Sequence, residues 1–496
     1  MSKEQILAAL ETDNIEYLKS ALGKVKGLDL VFSRLTEKQV RFLAEALKTN
    51  STLNHLWLSI NKIGAAGTTA IVEVLKANSS LTELKFESNN IGDAGTTALA
   101  EVLKANSTLT ELSLSNNNIG ATGATALMEV LKTNSTLTKL NLVFNEIGNL
   151  GVAAIGKALN TNYALKQINL GYNQIGDEGT TALVEALKTN SILTQLSLRN
   201  NQIGDVGATV IGKGLITNST LTHLDLGYNQ IGDEGTTDLA EALKTNSTLT
   251  QLSLRNNLIG AAGATALAEA LKTNSTLNHL GFSANQIGDV GATAIGKALK
   301  TNSTLTQLDL RGNNIEAAGT TALAEGLKTN SSLAELDLCD NPIKDEEEMA
   351  LAESIKRNKA LVTYKTKFGE VQKAAIEAVT PSTKDIKEIL KALCQYQLAI
   401  KKNPAPDLFQ VEDNIDIGKY ISSKYFWLIR VCQAIDKANP LLLLVEASDC
   451  MAHMLSFLKP TSLFPEFLTP TDLLPKYFLS IEDKSMIGSV VEEVNS

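Results

Sequence analysis

The chain has four histidines and four cysteines among its 496 residues. These are the side chains most able to hold a metal or act as nucleophiles. His55, His223 and His279 sit at one phase of a 28-residue pattern. That phase puts them on separate strands, too far apart along an arc to share a metal. Cys450 and His453 have the spacing of half a zinc site, but no second half stands nearby, so both read as structural. No phosphate-binding glycine loop occurs. Gly204 and Gly207 recur with the pattern and serve its turns. No cofactor and no metal is expected, and the repeated part of the chain offers no catalytic constellation.

What remains is chemistry of recognition. Arg199, Arg255 and Arg311 recur every 56 residues, and Tyr172 and Tyr228 fall in the intervening copies. Alternating Arg and Tyr on a rigid surface is the composition of protein interface hot spots. Adjacent strands lie about 4.8 Å apart, so these arginines would stand about 10 Å from one another. Duplication of a two-copy block also explains the alternation, since LGYNQIGDEGTT occurs at Leu170 and again at Leu226. Trp57, His223, Asp225 and Asp309 complete the set of candidate partner-binding residues.

Such residues need an element to hold them, and a repeat supplies it. LTELSLSNNNIG begins at Leu109 and LTKLNLVFNEIG at Leu137, 28 residues on. The frame runs from a degenerate copy at Val25 through Leu53 and Leu81 to Leu333, and ends near Leu361, about 12 units. Each unit has two halves. In the first, Leu193, Leu196 and Leu198 followed by Asn201 read as a strand buried on one face. The Asn column from Asn61 to Asn341 is expected to bond the backbone of its own turn and of the next one. In the second half, Ala266, Leu267, Ala270 and Leu271 share a helical face, and Glu269 and Lys272 pair on the outside. Asn274 follows the last helical turn, where a left-handed residue is wanted. The recurrent Asn-Ser-Thr, as at Asn106-Ser107-Thr108, is therefore turn chemistry and not a glycosylation acceptor.

One unit cannot bury its leucines alone, so units must stack. A strand on one side and a full helix on the other make the stack curve, with a parallel sheet lining the concave side. The fold class expected is an α/β solenoid, a horseshoe with convex helices, followed by a small all-α C-terminal domain. The residues before, between and after the strand leucines then face the concave surface. They include His55 and Trp57; Glu83, Lys85 and Glu87; Lys139, Asn141 and Val143; Gln195, Ser197 and Arg199; and His223 and Asp225. Gln251, Ser253, Arg255, Gln307, Asp309, Arg311, Glu335 and Asp337 continue the series.

The motif resembles the ribonuclease-inhibitor type of leucine-rich repeat, over roughly residues 25 to 361. That resemblance implies a binding scaffold and does not fix the ligand. Some bacterial leucine-rich-repeat effectors carry a ubiquitin-ligase domain with a catalytic Cys-x-Asp. None of Cys339, Cys394, Cys432 or Cys450 has Asp two places later, so that likeness fails.

Three parts are expected: an N-terminal helical cap over 1–24, the array over 25–368, and a helical domain over 369–496. Residues 2 to 23 read as one helix, with Ile6, Leu7, Leu10, Ile15 and Leu18 as its stripe. A last array helix runs from about Glu346 to Lys356, and a final strand falls within Lys359 to Phe368. Eight of the nine prolines come after residue 380. Helices are expected at about 383–402, 415–437 and 440–458. Pro460, Pro465, Pro470 and Pro475 then favour a segment that wraps the domain.

Net charge is −9, which disfavours nucleic acid as a general partner. The start, MSKEQILAALETDN, lacks the pattern of a secretory signal, and Leu441–Val445 is as long as any apolar run gets, so no membrane span is expected. A cytoplasmic protein-binding scaffold is the leading expectation, with the oligomeric state open. Repeats with a divergent helical end also resemble effectors that intracellular bacteria inject into host cells. The tail SIEDKSMIGSVVEEVNS is similar to the acidic C-terminal signals of type IV-secreted effectors. Two other readings stand beside it: an enzyme in the C-terminal domain with the repeats choosing its substrate, and a cytosolic immune-type regulator, which the lack of a nucleotide-binding segment disfavours.

Overall fold

The computed structural model describes residues 3–372 apart from 13, 359, 367 and 368. The expected C-terminal helices, the proline segment and the acidic tail lie outside the described residues, as do Cys394, Cys432, Cys450 and His453.

Strand β1 (Gly27–Asp29) is followed at steps of 28 residues by β2 (His55–Trp57) and its successors to β12 (Glu335–Asp337) and β13 (Thr363–Thr366). All pair in parallel, each with the next, in one sheet. The register keeps the frame, so Leu28, Leu56 and Leu84 lie side by side. Each strand from β1 to β12 is only three residues long because only one leucine-flanked step of the unit is extended. A helix follows every strand from β1 to β12, the first being α3 (Glu37–Leu47) and the last α14 (Asp345–Arg357). The sequence reading closes the array at 368. The sheet goes on for four more residues: β14 (Gly369–Gln372) folds back antiparallel on β13.

The core lies between sheet and helices. In Ala261–Leu271 the buried residues are Gly263, Ala264, Leu267, Ala268, Ala270 and Leu271. Ala266 is only half-buried, so the buried face is rotated toward Ala268 relative to the expected one. Glu269 and Lys272 do pair, at 2.6 Å.

Two asparagine ladders hold the turns. Asn201 donates its side-chain amide to the carbonyls of Leu198 and Leu170, at 2.9 and 3.1 Å. Its Oδ1 accepts from the backbone N–H groups of Asn173 and Ile175, both at 3.0 Å. The bonds run to its own turn and to the preceding repeat, not to the following one. The second ladder includes Asn274, whose Nδ2 donates to Leu243 O at 2.7 Å and whose Oδ1 accepts from Leu277 N at 2.8 Å. The expected left-handed backbone there is absent. Asn78, Asn218 and Asn358, at the same phase, are extended. The side chain satisfies the turn, so the backbone need not invert.

The left-handed turn comes elsewhere, at the residue just before the first ladder. From Phe32 to Asp340, every repeat has φ between +51° and +62° at this position. Gly and Asn suit it, and Asn116, Asn200, Asn256 and Gly312 are such cases. Phe32, Ile60, Phe144, Tyr172 and Tyr228 are not.

The N-terminal cap is two helices, not one. α1 (Lys3–Glu11) and α2 (Ile15–Leu22) break at Asn14, whose side chain accepts from Tyr17 N at 3.0 Å and caps α2. Ile6, Leu10 and Leu18 are buried as a cap requires, while Leu7 and Ile15 are half-buried.

Candidate protein-binding surface

The inner face of the sheet carries a groove of about 530 Å³ reaching from Glu83 to His279. Three columns of side chains per repeat point to it or to its rim. They are the first and third strand residues and the residue two places after the strand. Each candidate can be located on this grid.

At the N-terminal end, Trp57 belongs to a closed cluster. Its Nε1 donates to Glu83 Oε1 at 3.1 Å, and Lys85 Nζ stands 4.4 Å from the ring centroid. Glu83 also meets Lys85 at 3.0 Å and His55 at 2.8 Å. Burial pushes the Glu83 carboxyl upward, but Lys85, Trp57 and His55 together hold it below the ordinary carboxylate value.

In the middle, His223 contacts the Thr222 hydroxyl through Nδ1 at 2.7 Å, and His279 bonds Gln307. Burial, with a smaller contribution from His279, lowers the His223 pKa below its ordinary value. These two histidines are separated by one strand, closer together than the sequence reading places them, and His55 stands far away. Among the described residues no group of three or more His, Cys, Asp or Glu could hold a metal. Asp225 and Asp309 work for the fold. Each accepts from the backbone N–H two residues on, Gly227 at 2.9 Å and Arg311 at 3.1 Å.

The rim brings three of the five Arg and Tyr candidates together. The Tyr228 ring receives Arg199 at 4.4 Å and Arg255 at 5.1 Å. Tyr172 turns the other way and stacks on Phe144 at 3.8 Å with 24° between the rings. Arg311 pairs with Asp340 at 2.6 Å, which raises its pKa. The alternation seen in the sequence is therefore not a regular stack. The side chain 29 residues after each arginine decides: Tyr228 for Arg199, Asp340 for Arg311, and Ala284 for Arg255. Ala284 offers nothing to hold, and Arg255 turns back to Tyr228. Glycines make the space. A β-carbon on Gly227 would stand 3.4 Å from Arg255 Cγ, and one on Gly171 would stand 3.1 Å from the Arg199 carbonyl oxygen.

Seven stretches of the chain match a family described as Leucine Rich repeat: residues 77–100, 105–128, 133–156, 164–184, 189–212, 217–240 and 245–268. Residues 257–386 match a family described as TMOD/LMOD Leucine-rich domain. The array is built of leucine-rich repeats.

No curated protein sequence matches the chain. Among solved structures, a chain of the mouse RP105/MD-1 complex is similar at 20% identity and a TM-score of 0.48, over 74% of this chain. This chain spans 55% of that one, about half its length. An internalin, inlF, from Listeria monocytogenes str. 4b F2365 is similar at 21% identity and a TM-score of 0.44, over 70% of this chain and 92% of that one. Leiomodin-1 Actin-Binding Site 2 is similar at 23% identity and a TM-score of 0.24, over 33% of this chain and 78% of that one.

In this leucine-rich-repeat array the strand leucines and the asparagines from Asn61 to Asn341 are buried, and the inner face and rim differ from repeat to repeat in the columns just described and at the left-handed position. Sequence reasoning missed Phe144, Phe32 and Ile60, each about half exposed at 52%, 56% and 47%. The available signal was a large apolar residue immediately before the ladder asparagine. At Cys339, also at the rim, burial, helped by Asp337, pushes the thiol pKa far up.

Proposed function

We propose that the chain is a protein-binding scaffold whose partner lies along the inner sheet face and its rim between Phe144 and Arg255. One observation carries this reading. Phe144, Tyr172 and Tyr228 occupy left-handed backbone positions, with φ from +55° to +57°. Non-glycine residues held there cost about 1 kcal/mol or more each. The fold gains little in return at Phe144, which is 52% exposed, and buries Tyr172 and Tyr228 only in part. A partner that covers these rings recovers the apolar area and explains why they stand there.

The test is affinity capture from a eukaryotic cell lysate, with wild type beside the triple variant R199A/Y228A/R255A. A partner bound by the wild type and lost by the variant supports the reading. A partner retained equally by both removes this rim from the interface.

The finer reading is that of a bacterial effector acting in a host cell. It rests on the repeats joined to a divergent C-terminal segment and on the acidic tail with Glu482, Glu492 and Glu493. Deleting the last twenty residues should abolish translocation; unchanged delivery would sink the secretion-signal idea.

A further inference from the structure

The described lysines and arginines in the columns of the inner face and its rim are paired with carboxylates in all but two cases. Lys85 pairs with Glu83, Lys139 with Glu111, Arg311 with Asp340 and Lys365 with Asp337. Arg199 and Arg255 are the exceptions among the described residues of these columns. Neither has a carboxylate within 4.0 Å, and neither side chain donates a hydrogen bond. Asp225 stands on the strand between them, yet its carboxylate turns to Gly227 N–H and to the Ser197 hydroxyl.

Two like charges are thus held against one ring with their hydrogen-bonding capacity unused. A cation–π contact uses none of a guanidinium's N–H groups and leaves the edges that grip a carboxylate by two parallel bonds. The ring also fixes both side chains in advance, which reduces the ordering cost of binding. Gly171 and Gly227 flank Arg199 in its own column, so no neighbouring side chain covers it there. The chain as a whole carries −9, so an acidic partner would be repelled by much of the surface and drawn to this patch.

On the proposed scaffold reading, we infer that the Arg199–Tyr228–Arg255 stack receives the carboxylates of an acidic segment of the protein partner. Phosphate-bearing polymers are the competing occupant. An overall acidic surface and a patch of only two cations suit a short acidic peptide better than a nucleic-acid backbone.

The probe is a fluorescent N-acetyl hexaglutamate peptide, titrated with the full chain at low salt and followed by anisotropy. Wild type should bind. R199Q/R255Q should bind about ten-fold more weakly, as expected for removal of arginine anchors. R311Q should stay within about two-fold of wild type, because Asp340 already occupies that arginine. R199K/R255K keeps the charge but lacks the planar fork, and should lose about three-fold or more. Melting curves of each variant separate loss of fold from loss of the site. Equal binding by wild type and a folded R199Q/R255Q would overturn the inference, as would no binding by wild type. Tighter binding of an eight-residue oligothymidylate than of hexaglutamate would also overturn it. Lysate capture that depends on the rim, alongside a failed hexaglutamate titration, would remove the acidic chemistry and leave the scaffold reading standing.

Discussion

Arg311 and Asp340 meet at 2.6 Å across adjacent repeats, and Arg255 lacks that exchange because Ala284 stands where Asp340 would be. The two backbones agree: Ala284 has φ of +53° and Asp340 of +55°. Ala284→Asp should therefore give Arg255 its own carboxylate. Asp tolerates the left-handed region better than Ala, and an exposed pair adds little, so stability should hold or rise by up to about 1 kcal/mol. Hexaglutamate affinity should fall several-fold. Urea unfolding and the anisotropy titration check both halves; full retention of affinity would mean that Arg255 does not meet the probe.

Ile60 is the least comfortable of the left-handed residues. It is β-branched, has φ of +62° and is 47% exposed. Ile60→Asn should stabilise the array by about 1 kcal/mol, since Asn accepts this conformation and about half of the Ile60 surface is already in solvent. Chemical denaturation reads the change. A destabilised I60N would show that Ile60 packs against something the fold needs.

Asn201 tests the ladder. Its side chain bonds the carbonyls of Leu170, Leu198 and Arg199 and accepts from two N–H groups buried between repeats. Asn201→Ala leaves those two N–H groups without a partner, at about 1–3 kcal/mol for each, while the Leu170 and Leu198 carbonyls keep bonds from Asn173 and Asn229. The neighbouring change Asn200→Gly, at a position with φ of +51°, should be nearly neutral. Hydrogen exchange at the Asn173 and Ile175 amides should quicken in N201A alone.

Much of this was legible in the sequence, and the boundary has a physical cause. The 28-residue period gives the strand register directly, because parallel stacking of identical units places Leu196 beside Leu224 without further information. The outward columns follow from the same alternation. Pairing of long side chains does not. Arg255 has neighbours on two strands and takes Tyr228 because the alternative is Ala284. Tyr172 and Tyr228 also sit one residue later than the arginine column, in a backbone turn that the leucine pattern does not announce. The break at Asn14 was not read from the sequence, because the apolar stripe continues on both sides of it.

His223 is the group of the inner face whose shift bears on stability near neutral pH. Its pKa in the folded chain is depressed below 6.5, first by burial and then by His279. A depressed histidine binds protons more readily unfolded than folded, so stability rises with pH. The contribution is full above 6.5 and is lost as pH falls through the lower, folded value. Glu83, held below its ordinary 4.5, acts in the same direction but only in a more acidic window. Between pH 7.5 and 5.5 the histidine is thus the group to read. Wild type should melt at a lower temperature at pH 5.5 than at 7.5, and His223→Gln should shrink that difference. An undiminished difference in H223Q would assign the response to another group, and His279, the second of the pair, would then be the residue to replace.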